Sequence, residues 1–447
     1  MSNNRNGKLG LLDTTTILIG GMIGSAIFSL SGLTILNSGP AAILSWITAA
    51  VILFAYGLQT AELATLFPRS GGVFVFPAKT LGNNEKQGRL WGWISTWAYL
   101  FGTWAGAAFS AIYVSIYLGV GFPIFEKYQV PIAIAAVVIC GLLNIVNISI
   151  TGKANTVLTA GLAATLVLFI VIALFSGQWD ANMFSPFFTQ GAKGTWGFMG
   201  SIPIAMVAYG SIVAAAFMVG EIRDPNKTVP KAMSIAMLVV VSLYTLVIVS
   251  VLGLVSSAFL QENPGMAYIP LYAAAFTKLA SIPWLAKLIS ISAVLALLTT
   301  ILVVMALAAR TLQASAISGI LPKFLAENNK KTGVPVNAQI VVMVIVGVIA
   351  AFPSLTNFIV NLGSLCNAIV VAIICLTIVA ARKKFPAEPG SFRAPGGDVL
   401  PIITLIVLIA AYIPDILAGG WHLWAWTAAY YLVGMIIYAL AVKRLDS

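Results

Sequence analysis

Twelve long apolar runs constrain this chain more than any other feature of its sequence. An α-helix needs about 20 apolar residues to cross a bilayer, and the runs approach or exceed that length. Of the 447 residues, 60% are hydrophobic and 8% are charged, whereas a soluble domain carries about 25% charged residues. The sequence therefore predicts an all-α polytopic membrane protein with 12 transmembrane helices, forming one domain over 1–447. The runs are 9–36, 39–66, 90–119, 129–148, 153–176, 194–220, 231–258, 284–314, 337–353, 357–381, 399–418 and 422–442.

The basic residues divide unevenly between the two sides that twelve spans create. Four of the 24 lysines and arginines fall on one side, namely Lys127, Lys193, Lys278 and Lys287. All the others fall on the side that holds both termini. Because basic loops stay in the cytoplasm, we expect a multi-pass protein of the cytoplasmic membrane with both termini inside. The net charge of +11 then faces anionic lipid, and no nucleic-acid partner is needed to explain it.

The first run contains three glycines within five residues, Gly20, Gly21 and Gly24. Each costs about 1 kcal/mol relative to alanine inside a helix, which makes them a poor choice for a plain membrane span. Glycine lets a helix open, and opened backbone at membrane depth must be buried in protein or line a watery cavity. We therefore expect a broken helix that forms half of a binding site near the bilayer midplane.

The sixth run carries a second interruption, at Gly210 after Pro203. The two interrupted spans are five apart, which is the corresponding position in two halves of five spans. Glycine-interrupted spans at matching positions point to the binding site of an inverted-repeat transporter. Hydropathy and position alone thus predict one repeat over 9–176 and a second over 194–381, with spans 11–12 at 399–442.

A site between two such breaks has a definite chemistry. The N–H groups of Ser25, Ala26 and Ile27 would open the second half-helix, and a helix N-terminus attracts anions. The broken ends leave carbonyls unpaired at 19–22, and the sixth span adds those of Val207, Ala208 and Gly210. Donors on one side and carbonyls on the other suit a carboxylate beside an ammonium, which is the backbone of an amino acid.

The side chains around this site predict a neutral substrate. Those expected to project from the sixth and eighth spans are uncharged, and the acidic residues nearest a span all lie near span ends. A buried cationic substrate would need a paired charge, so a small neutral amino acid is expected. The projecting residues are Val207, Ser211, Ile212, Val213 and either Thr299 or Thr300, and the acids near span ends are Asp13, Glu62, Glu221 and Asp415.

Lys153 opens the fifth span close to a cytoplasmic boundary. One interpretation is a lysine that extends its ammonium to the membrane surface. The other is an inward ammonium bonded to the opened backbone of the first span, where it would occupy the place of a coupling cation. Ionisable groups inside a membrane are functional candidates by default, and the second interpretation is preferred.

Few residues offer reactive chemistry. The three cysteines, Cys140, Cys366 and Cys375, fall inside predicted spans without metal-ligand spacing, and the single histidine, His422, lies at an external span end. The sequence therefore predicts neither a metal nor a cofactor, and it argues against a membrane-embedded enzyme. A channel is disfavoured as well, because two broken helices suit a closed midplane site.

Several motifs together resemble the amino acid–polyamine–organocation superfamily over nearly the whole chain. Within it, the residues around Tyr209 and Lys153 look most like the L-type amino-acid transporter branch, with the nearest likeness to bacterial alanine–serine–cysteine exchangers. The resemblance implies a LeuT-type fold with a 5+5 inverted repeat, in which the substrate site lies between two broken helices. The motifs are the stretch 19–28, the loop Pro68–Gly72, the segment Glu221–Pro230, and Arg310 with Leu321 and Pro322.

The resemblance also implies roles for individual residues. Exchange would be sodium-independent and would move small neutral amino acids such as alanine, serine and cysteine by alternating access. Two departures are Ala26, where the family has glycine, and Val207, where many L-type transporters have a gating aromatic residue. The implied carboxylate contacts are Ser25, Ala26 and Ile27, the implied ammonium contacts are the carbonyls of Met22, Val207 and Gly210, and the implied coupling or structural residues are Lys153, Gly20, Gly24 and Tyr209.

Two further expectations concern coupling and partners. A proton- or sodium-coupled amino-acid symporter of the same fold is the alternative function. Animal L-type transporters join a glycoprotein heavy chain through a cysteine in the loop between spans 3 and 4. Residues 119–131 contain no cysteine, so no disulfide-linked heavy chain is expected.

Overall fold

A computed structural model of the chain describes residues 9–67, 72–146, 152–217, 219, 222–329, 332–386, 391–417 and 420–446. These residues are almost entirely helical, and apart from an isolated bridge between Leu9 and Ile222 they contain no β-structure. Helices suit an apolar chain because a bilayer offers no water to hydrogen-bond an open backbone. The expected all-α class is therefore confirmed for the described residues.

The α-helices follow one another along the chain with short connections. Several are joined through 3-10 helices, of which Val207–Val213 bears on the site. The α-helices are α1 (Leu11–Met22), α2 (Ser25–Ser38), α3 (Ala42–Leu66), α4 (Gly72–Thr80), α5 (Glu85–Gly121), α6 (Gln129–Ile145), α7 (Gly152–Phe175), α8 (Gly197–Met206), α9 (Ala214–Phe217), α10 (Pro225–Leu254), α11 (Ser257–Glu262), α12 (Pro270–Lys278), α13 (Pro283–Ile317), α14 (Val336–Ala350), α15 (Thr356–Lys384), α16 (Val399–Leu417) and α17 (Trp421–Asp446).

The helices confirm a polytopic membrane protein. In the described part of the chain, nine helical stretches are long and apolar enough to cross a membrane, judged by length and composition. Three further apolar helices, Leu11–Met22, Val336–Ala350 and Val399–Pro414, are shorter than a full span. Each of the twelve apolar runs contains α-helix, but the number of twelve spans and the two repeats of five remain predictions.

The outer helices present apolar side chains to their surroundings. Leu432 and Ile436 on α17, Ile406 on α16 and Val344 on α14 are each more than half exposed. An outward apolar surface of this kind suits lipid contact and not water. The three cysteines are free and buried, as the sequence predicts.

The centre of the bundle holds the two interrupted stretches. Helix α1 packs against α10 and α7, and the 3-10 helix at Val207–Val213 packs against α1, α3 and α10. Helix α13 packs along α5, and α15 packs against both α5 and α3. The interruptions are therefore enclosed by helices on several sides, which is where non-helical backbone is tolerated in a membrane protein.

Candidate functional site

The first apolar run is broken, as the glycines predict. Helix α1 ends at Met22 and α2 begins at Ser25, with Ile23 and Gly24 between them in non-helical conformations. Gly24 passes so close to α13 that a Cβ built on it would lie 2.6 Å from the Thr300 Oγ1. A methyl group cannot be accommodated at that distance, so the absence of a side chain at Gly24 is what permits this crossing.

The break redirects two backbone N–H groups. In an unbroken helix, the N–H groups of Gly24 and Ser25 would donate to the carbonyls of Gly20 and Gly21. Here Gly24 N donates to Met22 O at 2.7 Å, and Ser25 N donates to the Thr300 Oγ1 at 3.2 Å. The carbonyls of Gly20 and Gly21 therefore lose their intrahelical donors.

Gly20 and Gly21 also lie at an accessible surface. Gly20 is half-buried and Gly21 is exposed, although the next nine residues of the chain are all buried. Opened backbone at membrane depth must be buried in protein or line a watery cavity, and the accessibility of Gly20 and Gly21 means that their freed carbonyls can be reached. The α1 end of the break can thus supply hydrogen-bond acceptors to a bound cation or ammonium.

The Met22 carbonyl, which is expected to accept the substrate ammonium, already accepts two other hydrogen bonds. It accepts the Tyr244 hydroxyl at 2.5 Å as well as the Gly24 N–H at 2.7 Å. A carbonyl oxygen has two lone pairs, so both acceptor positions of Met22 are engaged in this conformation. The carbonyls that lose their helical donors belong to Gly21 and Gly20, one and two residues before Met22.

The other side of the break is the N-terminus of α2. No side chain caps this terminus, which follows Gly24. The first N–H groups of a helix have no intrahelical partner. The N–H of Ser25 donates to Thr300, and the N–H groups of Ala26 and Ile27 come next in the first turn of α2. Ala26 is only 4% exposed, so its methyl group is packed among neighbours where the family pattern has glycine.

The second interruption is milder than expected. Helix α8 ends at Met206, the backbone tightens into a 3-10 helix over Val207–Val213, and α9 resumes the α-helix at Ala214. A 3-10 stretch in the middle of a helix often marks a functional hinge or strain. The sixth apolar run therefore changes from α-helix to 3-10 helix around Gly210, and its backbone does not open there.

The two interrupted stretches approach each other at Gly21 and Ser211, next to Gly210. A Cβ on Gly21 would lie 2.9 Å from the Ser211 Cβ, so the two backbones approach closely there. Gly210 is exposed, and a Cβ built on it would meet nothing within 4 Å. The space beside Gly210 is therefore open, next to the contact between Gly21 and Ser211.

A small empty space lies beside Val207, the residue expected to contact a substrate side chain. It lies between α5, α15 and the 3-10 helix. All nine lining residues are uncharged, and the buried Ser364 hydroxyl has no hydrogen-bond partner among the described residues. The lining residues are Gly102, Ala105, Gly106, Phe109, Val207, Val360, Gly363, Ser364 and Asn367.

Tyr209, which the resemblance implies as a coupling or structural residue, lies in the 3-10 helix. It is fully buried, and its ring packs against Trp46 and Tyr244 with centroid separations of 6.0 and 5.6 Å. Lys153 belongs by its backbone to α7, but its side chain lies outside the described residues. Its expected contact with the first span therefore remains a prediction.

Sequence reasoning missed Tyr244 and underestimated Thr300. Tyr244 is one of several hydroxyl residues in the apolar run 231–258, and nothing in its spacing connects it with a carbonyl 222 residues away. Thr300 was expected only as a residue that projects from the eighth span. Among the described residues, no cluster of three or more His, Cys, Asp or Glu side chains could hold a metal ion.

Comparisons with known proteins agree with this architecture. A family model described as amino acid permease matches residues 9–440. A branched-chain amino acid permease of Bacillus subtilis is 26% identical over 98% of this chain and 93% of its own length. A serine/threonine exchanger of the same organism is 27% identical over 57% of each chain. An uncharacterized transporter of Mycobacterium tuberculosis is 28% identical over 77% of this chain and 73% of its own length.

Proposed function

Because the chain belongs to the amino acid permease family, it is a transporter of amino acids and not an enzyme, and we propose that it exchanges small neutral L-amino acids. Alanine, serine and cysteine are the proposed substrates, moved across the cytoplasmic membrane by alternating access. The observation that carries the proposal is the break between α1 and α2, which sets displaced carbonyls opposite an uncapped helix N-terminus. That pairing of acceptors and donors matches the ammonium and carboxylate of an amino acid.

The substrate backbone is proposed to lie across this break. The carboxylate takes the N–H groups at the start of α2, from Ser25, Ala26 and Ile27, where the helix dipole also favours negative charge. The ammonium takes carbonyls at the end of α1 and in the 3-10 helix. Gly20 and Gly21 join the predicted Val207 and Gly210 as candidates, because their intrahelical donors are displaced. Met22, also predicted, would first have to release the Gly24 N–H or the Tyr244 hydroxyl.

The substrate side chain is proposed to point toward Val207. The empty space there is small, and no charged residue lines it. An uncharged lining would leave a buried charge unpaired, at a large cost, so a neutral side chain is favoured. The names of two relatives point the same way, since one is a branched-chain amino acid permease and the other a serine/threonine exchanger.

Transport by two inverted repeats of five spans completes the proposal. The interrupted stretches at α1–α2 and α8–α9 would stand at matching positions of the two repeats, as in LeuT-type transporters, with α16 and α17 outside them. Both termini are proposed to be cytoplasmic, from the distribution of basic residues. No disulfide-linked heavy chain is expected.

Sodium-independent exchange depends on Lys153, which is proposed to replace a coupling cation. A sodium- or proton-coupled symporter remains the second candidate, and one observation favours it. Carbonyls at the end of a broken half-helix coordinate sodium in LeuT-type transporters, and the Thr300 hydroxyl lies beside the broken end of α1 as a further oxygen.

Transport by purified protein in liposomes tests the proposal. Vesicles preloaded with alanine should take up labelled alanine or serine, and empty vesicles should take up almost none. Equal uptake into empty vesicles would exclude obligatory exchange. The panel of internal amino acids should include all twenty, because the amino acid that best stimulates uptake identifies the substrate class.

Replacement of sodium by choline distinguishes the two coupling schemes. Uptake that is unchanged in choline supports sodium-independent exchange, whereas uptake that requires sodium supports the symporter. Lys153→Ala should reduce exchange by about tenfold or more if its ammonium stands in for a cation in the membrane. Full activity of this variant would show that Lys153 only extends to the membrane surface.

A further inference from the structure

We propose that the ends of α4 and α15 form a binding site for the phosphate headgroup of an anionic phospholipid. The site consists of the ammonium groups of Lys79, Lys383 and Lys384, gathered around the aromatic pair Phe67 and Phe385. The proposed orientation places it at the cytoplasmic surface of the membrane. This inference goes beyond the proposed function, because it concerns a lipid that is not transported and a surface separate from the break between α1 and α2.

The aromatic pair lies where α3, α4 and α15 come together. Phe67 directly follows α3 and Phe385 directly follows α15, and their rings meet edge-on with centroids 5.1 Å apart. Lys79, in the last turn of α4, places its Nζ 5.4 Å from the centroid of the Phe67 ring. An ammonium within about 6 Å of an aromatic ring is attracted to its face. The ring of Phe67 therefore holds the Lys79 ammonium near Phe385.

Helix α15 brings two more lysines to this place. Lys384 immediately precedes Phe385, and its Nζ donates to the carbonyl of Gly82, which follows α4, at 2.9 Å. Lys383 comes one residue earlier, and all three lysines are exposed. An ammonium has three donors, so the bond to Gly82 uses only one of those of Lys384. The three side chains thus offer concentrated positive charge and hydrogen-bond donors at one exposed surface.

The protein does not neutralise this charge itself. No ion pair between described residues involves Lys79, Lys383 or Lys384. Three carboxylates of the described residues are engaged by arginines instead. The pairs are Arg382 with Glu62 and Asp398, and Arg89 with Glu85. Like charges that are gathered on one surface repel one another, so an anion from outside the protein would relieve the repulsion between the lysines.

A phospholipid headgroup suits this surface better than a free anion. Clusters of basic residues beside a membrane span attract anionic lipids, and α15 belongs to the helical stretches that are long and apolar enough to cross a membrane. Phe385, which is 36% exposed, offers an apolar ring next to the lysines. Basic and aromatic side chains side by side suit the boundary between headgroups and acyl chains. A phosphate ion in solution would gain nothing from the exposed ring.

Lipid added to the purified protein in detergent tests the site. Phosphatidylglycerol should raise the thermal unfolding midpoint of the parent protein by about 2 °C or more relative to phosphatidylcholine, because a ligand of the folded state stabilises it. In the triple variant Lys79→Gln/Lys383→Gln/Lys384→Gln, this difference between the two lipids should disappear, since glutamine keeps a polar side chain and removes the charge. Equal midpoints of the parent in both lipids, or an undiminished difference in the triple variant, overturn the inference.

The matched control is a second triple variant, Lys227→Gln/Lys231→Gln/Lys323→Gln. These lysines are exposed as well, and the proposed orientation places them on the same side of the membrane. They lie on α10 and in the 3-10 helix after α13. The control variant should keep the full response to phosphatidylglycerol. An equal loss in both variants would mean that the lipid responds to net charge alone, which overturns a specific site.

Two further measurements keep the test decisive. Inorganic phosphate should not raise the midpoint of the parent protein; a rise as large as that with phosphatidylglycerol would assign the lysines to a free anion and overturn the lipid site. If the triple variant is not recovered as a monodisperse protein, Lys79→Gln/Lys383→Gln replaces it, because it keeps the bond between Lys384 and Gly82. Its response to phosphatidylglycerol should fall by about half or more, since each lysine near the headgroups contributes a similar attraction, and a parent-like response overturns the inference. None of these measurements involves transport, so a failure to exchange amino acids would contradict the proposed function alone.

Discussion

Gly24 carries the most demanding local geometry of the site. A Cβ at this position would lie 2.6 Å from the Thr300 Oγ1, and the Ser25 N–H donates to that same oxygen. Gly24→Ala should therefore push α13 away from the break and disturb the start of α2. We expect exchange to fall by about tenfold or more, in line with the loss of positioning that a 1 Å displacement can cause.

Gly347→Ala is the control for this substitution. Gly347 lies in α14, and a Cβ built on it would meet nothing within 4 Å. This change should leave exchange at the parent rate, because alanine is tolerated there and favours helix by about 1 kcal/mol. Equal rates of exchange for Gly24→Ala and the parent protein would show that the close approach to Thr300 is not required.

Val207 controls the space available to a substrate side chain. Val207→Phe would fill much of the empty space beside it, so uptake of leucine and isoleucine should fall about tenfold relative to alanine, since a methylene or two in a pocket discriminates by roughly this factor. The measurement is inhibition of labelled alanine exchange by a panel of neutral amino acids. The same substitution at Val344, which is 59% exposed on α14, should leave the profile unchanged. If Val207→Phe also leaves it unchanged, Val207 does not line the site.

The role of a single residue could be predicted from the sequence only where the residue type is unusual at its position. Gly24 belongs to a glycine cluster whose cost in a helix demands an explanation, and the break was found within that cluster. Tyr244 could not be predicted, because its importance depends on which carbonyl its hydroxyl meets across the bundle. The engagement of the Met22 carbonyl depends on the same contact, so it could not be predicted either.

At the scale of the helix, an ion pair ties three elements together. Arg382 at the end of α15 donates to both carboxylate oxygens of Glu62 in α3, at 2.9 and 2.6 Å, and both side chains are 4% exposed. Ala394 N, after α15, donates to Glu62 Oε2 at 2.8 Å. Asp398 accepts a third bond from Arg382 at 3.2 Å. The cluster therefore joins the ends of α3 and α15 to the segment before α16.

Glu62→Gln should destabilise this junction. It leaves the buried Arg382 guanidinium with only the half-exposed Asp398 as a charged partner among the described residues, and breaking a buried pair costs about 3–5 kcal/mol. The thermal unfolding midpoint in detergent should fall clearly. Glu85→Gln is the control, because Glu85 is 80% exposed in its pair with Arg89 and exposed pairs contribute little. Similar midpoints for both variants would contradict the structural role of Glu62.

The helices themselves were the most predictable elements. In lipid, backbone groups must be satisfied within the segment, so apolar runs of sufficient length become helices whatever their neighbours. The winding inside a helix was less predictable. Gly210 indicated an interruption, but whether the backbone opens or tightens into a 3-10 helix over Val207–Val213 is decided by packing against α1, α3 and α10.

The number of membrane crossings is a property of the whole molecule that helix length alone does not determine. Three of the apolar helices are shorter than a full span, so length alone does not decide how many times the chain crosses the membrane. The basic residues provide independent information, because twelve crossings place all but four of the lysines and arginines on the same side of the membrane as both termini. The orientation and the number of spans are therefore one question, and a single experiment can address both.

Labelling from outside the cell tests the orientation. Lys127 and Lys323 are both exposed and lie on opposite sides of the membrane if five spans separate them, as twelve spans require. In intact cells, an impermeant maleimide should react with Lys127→Cys and should react with Lys323→Cys only after permeabilisation. The parent protein is the control, because its cysteines are buried and should stay unlabelled. Labelling of both variants from the same side would contradict five intervening spans, and the reversed pattern would place both termini outside.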